Sequence, residues 1–316
     1  MALVELLALN RTDMSLHAES PILVTGATGR VGRLVIDELL RAGVPVRALT
    51  RRPDRAALPA TAEVVQGDLT VPASLRAALD GAGAIFLVWT AALDTAPSAI
   101  ARIAAHTSAE PRRIVYLSAP HQTPHPFFQQ PNPMRALHAE VERLLANTGL
   151  DLAILRPGMF ASNALNWWAP QVRDGDVVRW PYGAAETAPI DERDIAAVAV
   201  RTLLDDRHAN ADFVLTGSES LSQAAQVRMI GDAIGRPLEF DELSPDEFRS
   251  ATAATWPAAV SEMLLSAWQA ALGHPAFVTD AVEEVLESPP RTFREWATDN
   301  AAAFARTGTP PAPTTV

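Results

Sequence analysis

The feature that most constrains this chain is a group of three glycines close to its N-terminus. Gly26, Gly29 and Gly32 are spaced G-x-x-G-x-x-G and directly follow the apolar run 22–24. Such a run predicts a strand buried on both faces. The first glycine permits a sharp turn, the second lets a bound group approach the backbone, and the third permits tight packing of the following helix. The N–H groups at the start of that helix would bind a pyrophosphate.

This spacing differs from the G-x-G-x-x-G of the commonest dinucleotide fingerprint. An ordinary strand–helix turn is the alternative interpretation. The alternation of strand and helix patterns over the next hundred residues favours nucleotide binding. Six residues of the turn are therefore predicted to bind the cofactor: Gly26, Thr28, Gly29, Arg30, Val31 and Gly32.

The alternation predicts an α/β fold with a Rossmann-like, doubly wound parallel sheet. Strand patterns lie at 22–24, 46–49, 63–66, 84–89, 113–118 and 152–155, and helix patterns lie at 31–42, 74–79, 96–107 and 134–147. Later helical patterns predict a smaller, mainly helical C-terminal substrate lobe, interleaved with the sheet. The predicted organisation is an N-terminal extension at 1–20, a dinucleotide-binding domain at 21–158, the lobe at 159–306 and a disordered tail at 307–316.

Composition excludes several other classes of function. The 316 residues contain no cysteine, so disulfides, thiolate catalysis and cysteine-bound metal are excluded. No cluster of histidines and carboxylates predicts another metal site. A net charge of −11 disfavours nucleic acid as a partner. No apolar run is long enough to span a membrane, and the N-terminus lacks the order of parts of a signal peptide, so a cytoplasmic location is expected. The expected oligomeric state is a monomer or a homodimer.

The ends of the second and third strands predict the form of the dinucleotide. An acidic residue after the second strand would bind a ribose 2′-hydroxyl, but the chain reads Thr50-Arg51-Arg52. Guanidinium groups suit a 2′-phosphate, which favours NADP(H) over NAD; a solvated basic turn is the alternative. After the third strand, Asp68 could accept a hydrogen bond from the adenine amino group, or cap a turn, and Leu69 follows it.

Residues after the fourth and fifth strands are expected beside the cofactor, because ligands bind at the carboxyl ends of parallel strands. These residues are Trp89, Thr90 and Ser118. The segment 119–133 contains five prolines and is predicted to hold no regular element. It is either a lid over a pocket or a surface excursion with two buried phenylalanines.

These motifs together resemble the NmrA-like branch of the atypical short-chain dehydrogenases/reductases, over residues 21 to about 250. The matching stretches are 24–32, the Arg51-Arg52 pair, 67–69, 155–160 with Asn163, 189–196, 215–217 and 235–237. The resemblance implies NAD(P)H binding, with Pro157 and Phe160 at the cofactor. The family includes reductases of quinones, azo and triphenylmethane dyes and natural-product intermediates, and also redox-sensing regulators.

The chain departs from the superfamily at its usual catalytic pair, Tyr-x-x-x-Lys. When Glu142 is aligned with the glutamate four residues after that lysine, Met134 occupies the tyrosine position and His138 the lysine position. Met134 cannot transfer a proton. His138 could hydrogen-bond the ribose or act as an acid near neutral pH, or it could be a histidine on the helix surface. Ser118 matches the superfamily's serine at the end of the fifth strand. His138 and Ser118 are therefore the candidate catalytic residues.

Loss of the proton relay favours acceptors that stabilise the arriving charge themselves, such as quinones and other conjugated compounds. Aromatic side chains could line a pocket for a flat substrate; the alternative is that most of them are core. The predicted function is an NADPH-dependent reductase of a quinone-like or other conjugated aromatic acceptor, with a non-catalytic NADP(H) sensor as the alternative. The candidate pocket residues are Trp89, Phe127, Phe128, Phe160, Asn163, Trp167, Trp168 and Trp180.

Overall fold

The computed structural model describes residues 20–107, 113–121 and 123–306. Nearly all of the expected N-terminal extension, and the expected disordered tail, lie outside these residues. The described part contains no helix that is both long enough and apolar enough to cross a membrane.

Seven parallel strands form the central sheet, in the order β3-β2-β1-β4-β5-β6-β9. The first strand, β1, lies inside the sheet. The next two strands are added on one side of it, and the chain then crosses to the other side to form β4. The carboxyl ends of the strands therefore open a crevice between β1 and β4, where this fold class binds ligands. The strands are β1 (Ile22–Val24), β2 (Val46–Thr50), β3 (Glu63–Gln66), β4 (Ala84–Val88), β5 (Arg113–Leu117), β6 (Asp151–Pro157) and β9 (Asp212–Leu215).

Helices cover both faces of this sheet, as expected for apolar parallel strands. One layer packs through α1 (Arg30–Arg41), α8 (Glu192–Leu204) and α12 (Ala281–Leu286). The opposite layer contains α2 (Arg76–Leu79), α3 (Ala96–Thr107) and α5 (Pro133–Ala146). The predicted strands and helices of residues 22–155 are thus confirmed, with ends that differ by one or two residues.

The second lobe forms around its own aromatic core, in which Trp168, Trp180 and Trp268 pack together with Phe248. It is interleaved with the sheet, since α8, β9 and α12 come from the later part of the chain and pack on the nucleotide-binding unit. Its helices are α6 (Asn163–Trp167), α7 (Ala169–Asp174), α9 (Gln223–Ala233), α10 (Pro245–Thr252), α11 (Ala258–Ala271) and α13 (Phe293–Asp299). Ser222 caps α9 by accepting a hydrogen bond from the amide of Ala225.

Four short strands of this lobe have no counterpart in the sequence patterns. They form two small pairs, parallel β7 (Val177–Trp180) with β11 (Glu239–Glu242), and antiparallel β8 (Glu186–Thr187) with β10 (Leu221–Ser222). Runs of two to four residues are too short to show a period, and their partners are distant along the chain.

The expectation that no regular element forms in segment 119–133 is wrong. A one-turn helix, α4, spans Pro126–Gln129. Pro126 occupies its first turn, where a helix needs no N–H donor. His125 precedes it, and its side chain accepts a hydrogen bond from the amide of Phe127. Proline at this position therefore begins a helix instead of preventing one.

Candidate functional site

A cleft of about 590 Å³ lies at the carboxyl ends of β1 to β4. Its walls include Thr28, Gly29, Asp68, Leu69 and Thr90, together with the turn after β2. These residues come from four separate segments, and the parallel register of the strands brings them to one edge of the sheet. The cleft is therefore assembled by the crevice that the strand order creates.

The glycine turn has the geometry that its spacing predicts. Gly26 has a φ of +59°, and a Cβ there would lie 2.8 Å from the Cβ of Val88. A Cβ on Gly32 would overlap the carbonyl oxygen of Gly26, so this glycine permits α1 to pack against the turn. Gly29 donates its N–H to that carbonyl oxygen at 2.9 Å and lines the cleft, so its backbone is open to a ligand.

The start of α1 leaves backbone donors free. Gly29 is the N-cap and has no side chain, and the first helical bond runs from the amide of Arg33 to the carbonyl of Gly29. The amides of Arg30, Val31 and Gly32 have no acceptor among the described residues, and the first turn carries no acid. A pyrophosphate would satisfy these donors and interact favourably with the helix dipole. None of these three residues lines the cleft, so their binding of the cofactor stays a prediction.

The turn after β2 is positively charged. Arg51, Arg52 and Arg55 line the cleft. Arg51 and Arg52 are exposed, and neither forms an ion pair within the described part of the chain. Arg55 reaches Asp54 only at 3.9 Å. This arrangement fits a 2′-phosphate, which would supply the missing acceptors.

Asp68 closes a turn, which is one of its two predicted roles. Its Oδ1 accepts hydrogen bonds from the amide and the hydroxyl of Thr70, both at 2.9 Å, and so closes a turn. Its side chain nevertheless lines the cleft, and Oδ2 has no partner among the described residues. Oδ2 can therefore accept a hydrogen bond from an adenine amino group.

Trp89 points away from the cleft. Val88 and Thr90 line it, whereas Trp89 is 4% exposed and packs in the helix layer on the opposite face. Successive side chains at the end of a strand alternate between faces, so only one of the adjacent pair Trp89 and Thr90 can face the ligand. The structure therefore does not bring Trp89 to the expected cofactor and substrate positions.

A second cavity of about 470 Å³ lies at the carboxyl ends of β5 and β6. Ser118 and His138 lie on its wall, as do Pro157 at the end of β6 and Phe160 and Asn163 beyond it. Side chains from α4, from α6 and from α11 form its apolar part: Phe127, Phe128, Trp167, Met263 and Leu264. Because β4 and β5 are neighbours in the sheet, the two cavities lie at the same carboxyl edge.

Two tryptophans that were expected in this pocket lie in the core instead. Trp168 and Trp180 are 1% and 4% exposed and contribute to the aromatic cluster of the second lobe. Neither lines the cavity, whereas their neighbour Trp167 does. Sequence patterns cannot separate these cases, since aromatic side chains are equally suited to a core and to a pocket wall.

A tyrosine of β5 lies against His138. The hydroxyl of Tyr116 lies 2.6 Å from Nδ1 of His138. Burial, together with the nearby charge of Glu142, raises the pKa of Tyr116 far above its usual range. Burial lowers the pKa of His138, although Glu142 acts in the opposite direction. A protonated Tyr116 thus faces a neutral His138, and a hydroxyl that donates to Nδ1 would leave Nε2–H for the cavity.

A buried carboxylate lies one helical turn further along α5. Glu142 accepts two hydrogen bonds from Arg156, at 3.1 and 2.7 Å, and one from the hydroxyl of Ser118. Its Oε2 also lies 2.8 Å from Nε2 of His121. Burial alone would raise the pKa of Glu142, but these hydrogen bonds hold it below its usual value. Ser118 is thus committed to Glu142 and contributes to anchoring α5.

The side-chain periods of strand β5 and helix α5 indicate the contacts of Tyr116 with His138 and of Ser118 with Glu142. Tyr116 and Ser118 are two residues apart and share one face of the fifth strand, while His138 and Glu142 are four apart and share one face of the helix. Polar residues matched in this way on a strand and on the following helix predict two contacts. Neither contact is among the predictions from the sequence.

Comparisons with known proteins agree with this geometry. A family model described as NAD(P)H-binding matches residues 26–206. The chain is 38% identical over 289 residues to the (4-alkanoyl-5-oxo-2,5-dihydrofuran-3-yl)methyl phosphate reductase of Streptomyces griseus subsp. griseus, covering 90% of this chain and 99% of the relative. It is 31% identical over 290 residues to the NAD(P)H azoreductase of Xenophilus azovorans, again covering 90% and 99%.

Solved structures show the same fold. An NADPH-dependent quinone oxidoreductase from Escherichia coli superposes with a TM-score of 0.73 at 25% identity, covering 88% of this chain and 98% of that one. A mutant of NmrA superposes with a TM-score of 0.71 at 17% identity, covering 91% and 97%. The resemblance to the NmrA-like class is confirmed, and the chain belongs to the NAD(P)H-binding family.

Proposed function

We propose that this chain, an NAD(P)H-dependent oxidoreductase, transfers hydride from NADPH to a quinone-like or other electron-poor conjugated acceptor. The observation that carries the proposal is the pair of cavities at the same carboxyl edge of the sheet. The first presents two arginines without ion-pair partners among the described residues, and the second is an apolar cavity of about 470 Å³ with His138 on its wall.

Each part of the two cavities contacts a different part of the cofactor. Arg51 and Arg52 bind the 2′-phosphate, the amides at the start of α1 bind the pyrophosphate, and Asp68 accepts from the adenine. Pro157 and Phe160 border the nicotinamide end. Bound NADPH supplies a hydride with its electron pair, the reduced acceptor takes one proton from water, and NADP⁺ is released.

His138 assists without a tyrosine–lysine pair. Its Nε2–H donates a hydrogen bond to the acceptor oxygen or to the ribose, and Tyr116 holds the ring in that tautomer. A buried tyrosinate would be unfavourable, so Tyr116 positions the ring and does not pass on its proton. An acceptor that delocalises the added electrons needs no more than this, because a hydrogen bond stabilises the charge until solvent supplies the proton.

The names of similar proteins support this class of acceptor. The reductase from Streptomyces griseus acts on a dihydrofuranone bearing an alkanoyl group, and the two other reductases are named for azo compounds and quinones. Each of these acceptors is a conjugated system with electron-withdrawing groups. A cavity wall that includes Phe127, Phe128 and Trp167 suits such molecules.

The proposal is tested by mixing purified protein with NADPH and a panel of quinones, azo dyes and furanones, and by following the absorbance of reduced nicotinamide. His138→Ala is expected to lower kcat about tenfold, the value of one lost hydrogen bond. His106→Ala, on α3 and away from both cavities, is the matched control. Tight NADPH binding without oxidation by any acceptor would contradict the enzyme and favour the alternative, a non-catalytic NADP(H) sensor.

Cytoplasmic location and a monomeric or homodimeric state remain predictions from the sequence. Size-exclusion chromatography with light scattering, with and without NADPH, measures the second.

A further inference from the structure

One cation in the second cavity has no partner. Arg135 lies on α5 and lines the cavity, and its Nη1 atom is buried. No acceptor or carboxylate among the described residues contacts its guanidinium. A buried guanidinium N–H without an acceptor is unfavourable, since the group loses water and gains nothing in exchange.

Other arginines of this region are paired. Arg156 contacts Glu142 and Asp212, and Arg143, two turns after Arg135 on the same helix, contacts Glu140. No acidic side chain lines the second cavity, and Glu142, the nearest buried carboxylate of α5, is occupied by Arg156, Ser118 and His121. Among these three arginines, only Arg135 lines the second cavity, and only Arg135 has no partner among the described residues.

We propose that Arg135 binds an anionic substituent of the acceptor, such as a sulfonate, carboxylate or phosphate. This proposal rests on the proposed function, because it concerns the substrate of the same cavity. Arg135 and His138 are three residues apart on one helix, and both side chains line the cavity, so their Cβ atoms are about 5–6 Å apart. An acceptor can place its reacting oxygen at His138 and an anionic group, a few bonds away, at Arg135, where planar guanidinium geometry permits two hydrogen bonds.

Equilibrium binding tests the proposal without turnover. Protein saturated with NADP⁺ is titrated calorimetrically with 1,2-naphthoquinone or with its 4-sulfonate. Arg135→Met is expected to weaken binding of the sulfonate about 10- to 100-fold and to leave the neutral quinone nearly unchanged. Arg143→Met removes a paired, exposed arginine from the same helix and is expected to change neither. Arg135→Lys keeps the charge and is expected to restore part of the affinity.

Equal loss for both quinones would overturn the proposal, because Arg135 would then shape the cavity instead of binding an anion. Unchanged affinity for the sulfonate would overturn it too.

Steady-state rates distinguish a failure of the anion site from a failure of the proposed reductase. If the sulfonate binds through Arg135 but NADPH is never oxidised, the anion site stands and the reductase fails. If both quinones are reduced with the same KM in Arg135→Met as in the wild type, the reductase stands and the anion site fails.

Discussion

At the scale of single residues, we expect cofactor choice to depend on Arg51 and Arg52, which form no ion pair among the described residues. Arg51→Ala together with Arg52→Ala is expected to weaken NADPH binding about 10- to 1000-fold, since each charge-assisted hydrogen bond contributes about 1.5–3 kcal/mol. NADH binding should hardly change, because NADH lacks the 2′-phosphate. Fluorescence titration with both nucleotides measures the difference. An equal loss for NADPH and NADH would contradict the assignment to the 2′-phosphate.

The tautomer of His138 is a second property of single side chains. In Tyr116→Phe the ring loses the donor to Nδ1, so we expect the Nδ1–H tautomer to appear and kcat to fall. The ¹⁵N chemical shifts of the histidine rings report this directly. Since burial lowers the pKa of His138 from 6.5, the wild-type ring should stay neutral as pH falls to 6.5 and protonate only below it.

Tyr182→Phe is the matched control, because the chain has only two tyrosines. A wild-type His138 that carries its proton on Nδ1 would be inconsistent with Tyr116 as the donor.

At the scale of elements, two glycines in the turn between β1 and α1 are expected to differ in role: Gly32 permits packing of α1, and Gly29 permits approach of the pyrophosphate. Gly32→Ala places a Cβ on the Gly26 carbonyl oxygen and is expected to destabilise the fold by about 1–3 kcal/mol. A Cβ on Gly29 would lie 3.2 Å from the same carbonyl oxygen, so Gly29→Ala should cost less stability than Gly32→Ala but block approach of the pyrophosphate. Urea denaturation and NADPH titration distinguish the two. Equal stability of both variants would show that close packing of α1 is not what Gly32 provides.

The attachment of α5 to the sheet depends on Glu142. Glu142→Gln leaves the buried Arg156 with the more exposed Asp212 as its remaining charge partner and is expected to cost about 1–3 kcal/mol in the free energy of unfolding. Glu140→Gln, on the exposed side of the same helix, should change it little. The pKa of Glu142 is lowered from 4.5 in the folded state, so its contribution is complete well above pH 4.5 and is lost as pH falls through the lowered value. The difference in denaturation midpoint between wild type and Glu142→Gln should therefore shrink in acid.

At the scale of the whole molecule, the lobes share elements and should not unfold separately. Strand β9 pairs with β6, and α8 packs against α1. We expect one cooperative transition in urea, seen equally by circular dichroism and by the fluorescence of the tryptophan cluster. A fragment of residues 20–158 lacks β9, α8 and α12 and is expected not to fold. Two separate transitions, or a folded fragment, would contradict this coupling.

Local signals in the sequence predict the sheet as far as β6, the glycine turn and the arginine pair. An apolar strand, a glycine with positive φ and a basic turn each depend on a few adjacent residues. Residues that follow the carboxyl end of a strand lie at the ligand edge of the sheet, and Thr28, Asp68 and Ser118 line the two cavities there. The α/β fold and the NAD(P)H-binding family that these features predict are confirmed.

Tertiary packing sets which aromatic side chains line the cavity and which polar groups have partners. Trp167 lies on the wall and Trp168 in the core, although they are adjacent in the chain and identical in type. The contact between Tyr116 and His138 depends on how α5 lies against β5, and so does the guanidinium of Arg135, which is unpaired among the described residues. Strand and helix periods indicate which faces carry these side chains, but packing between segments sets the contacts themselves.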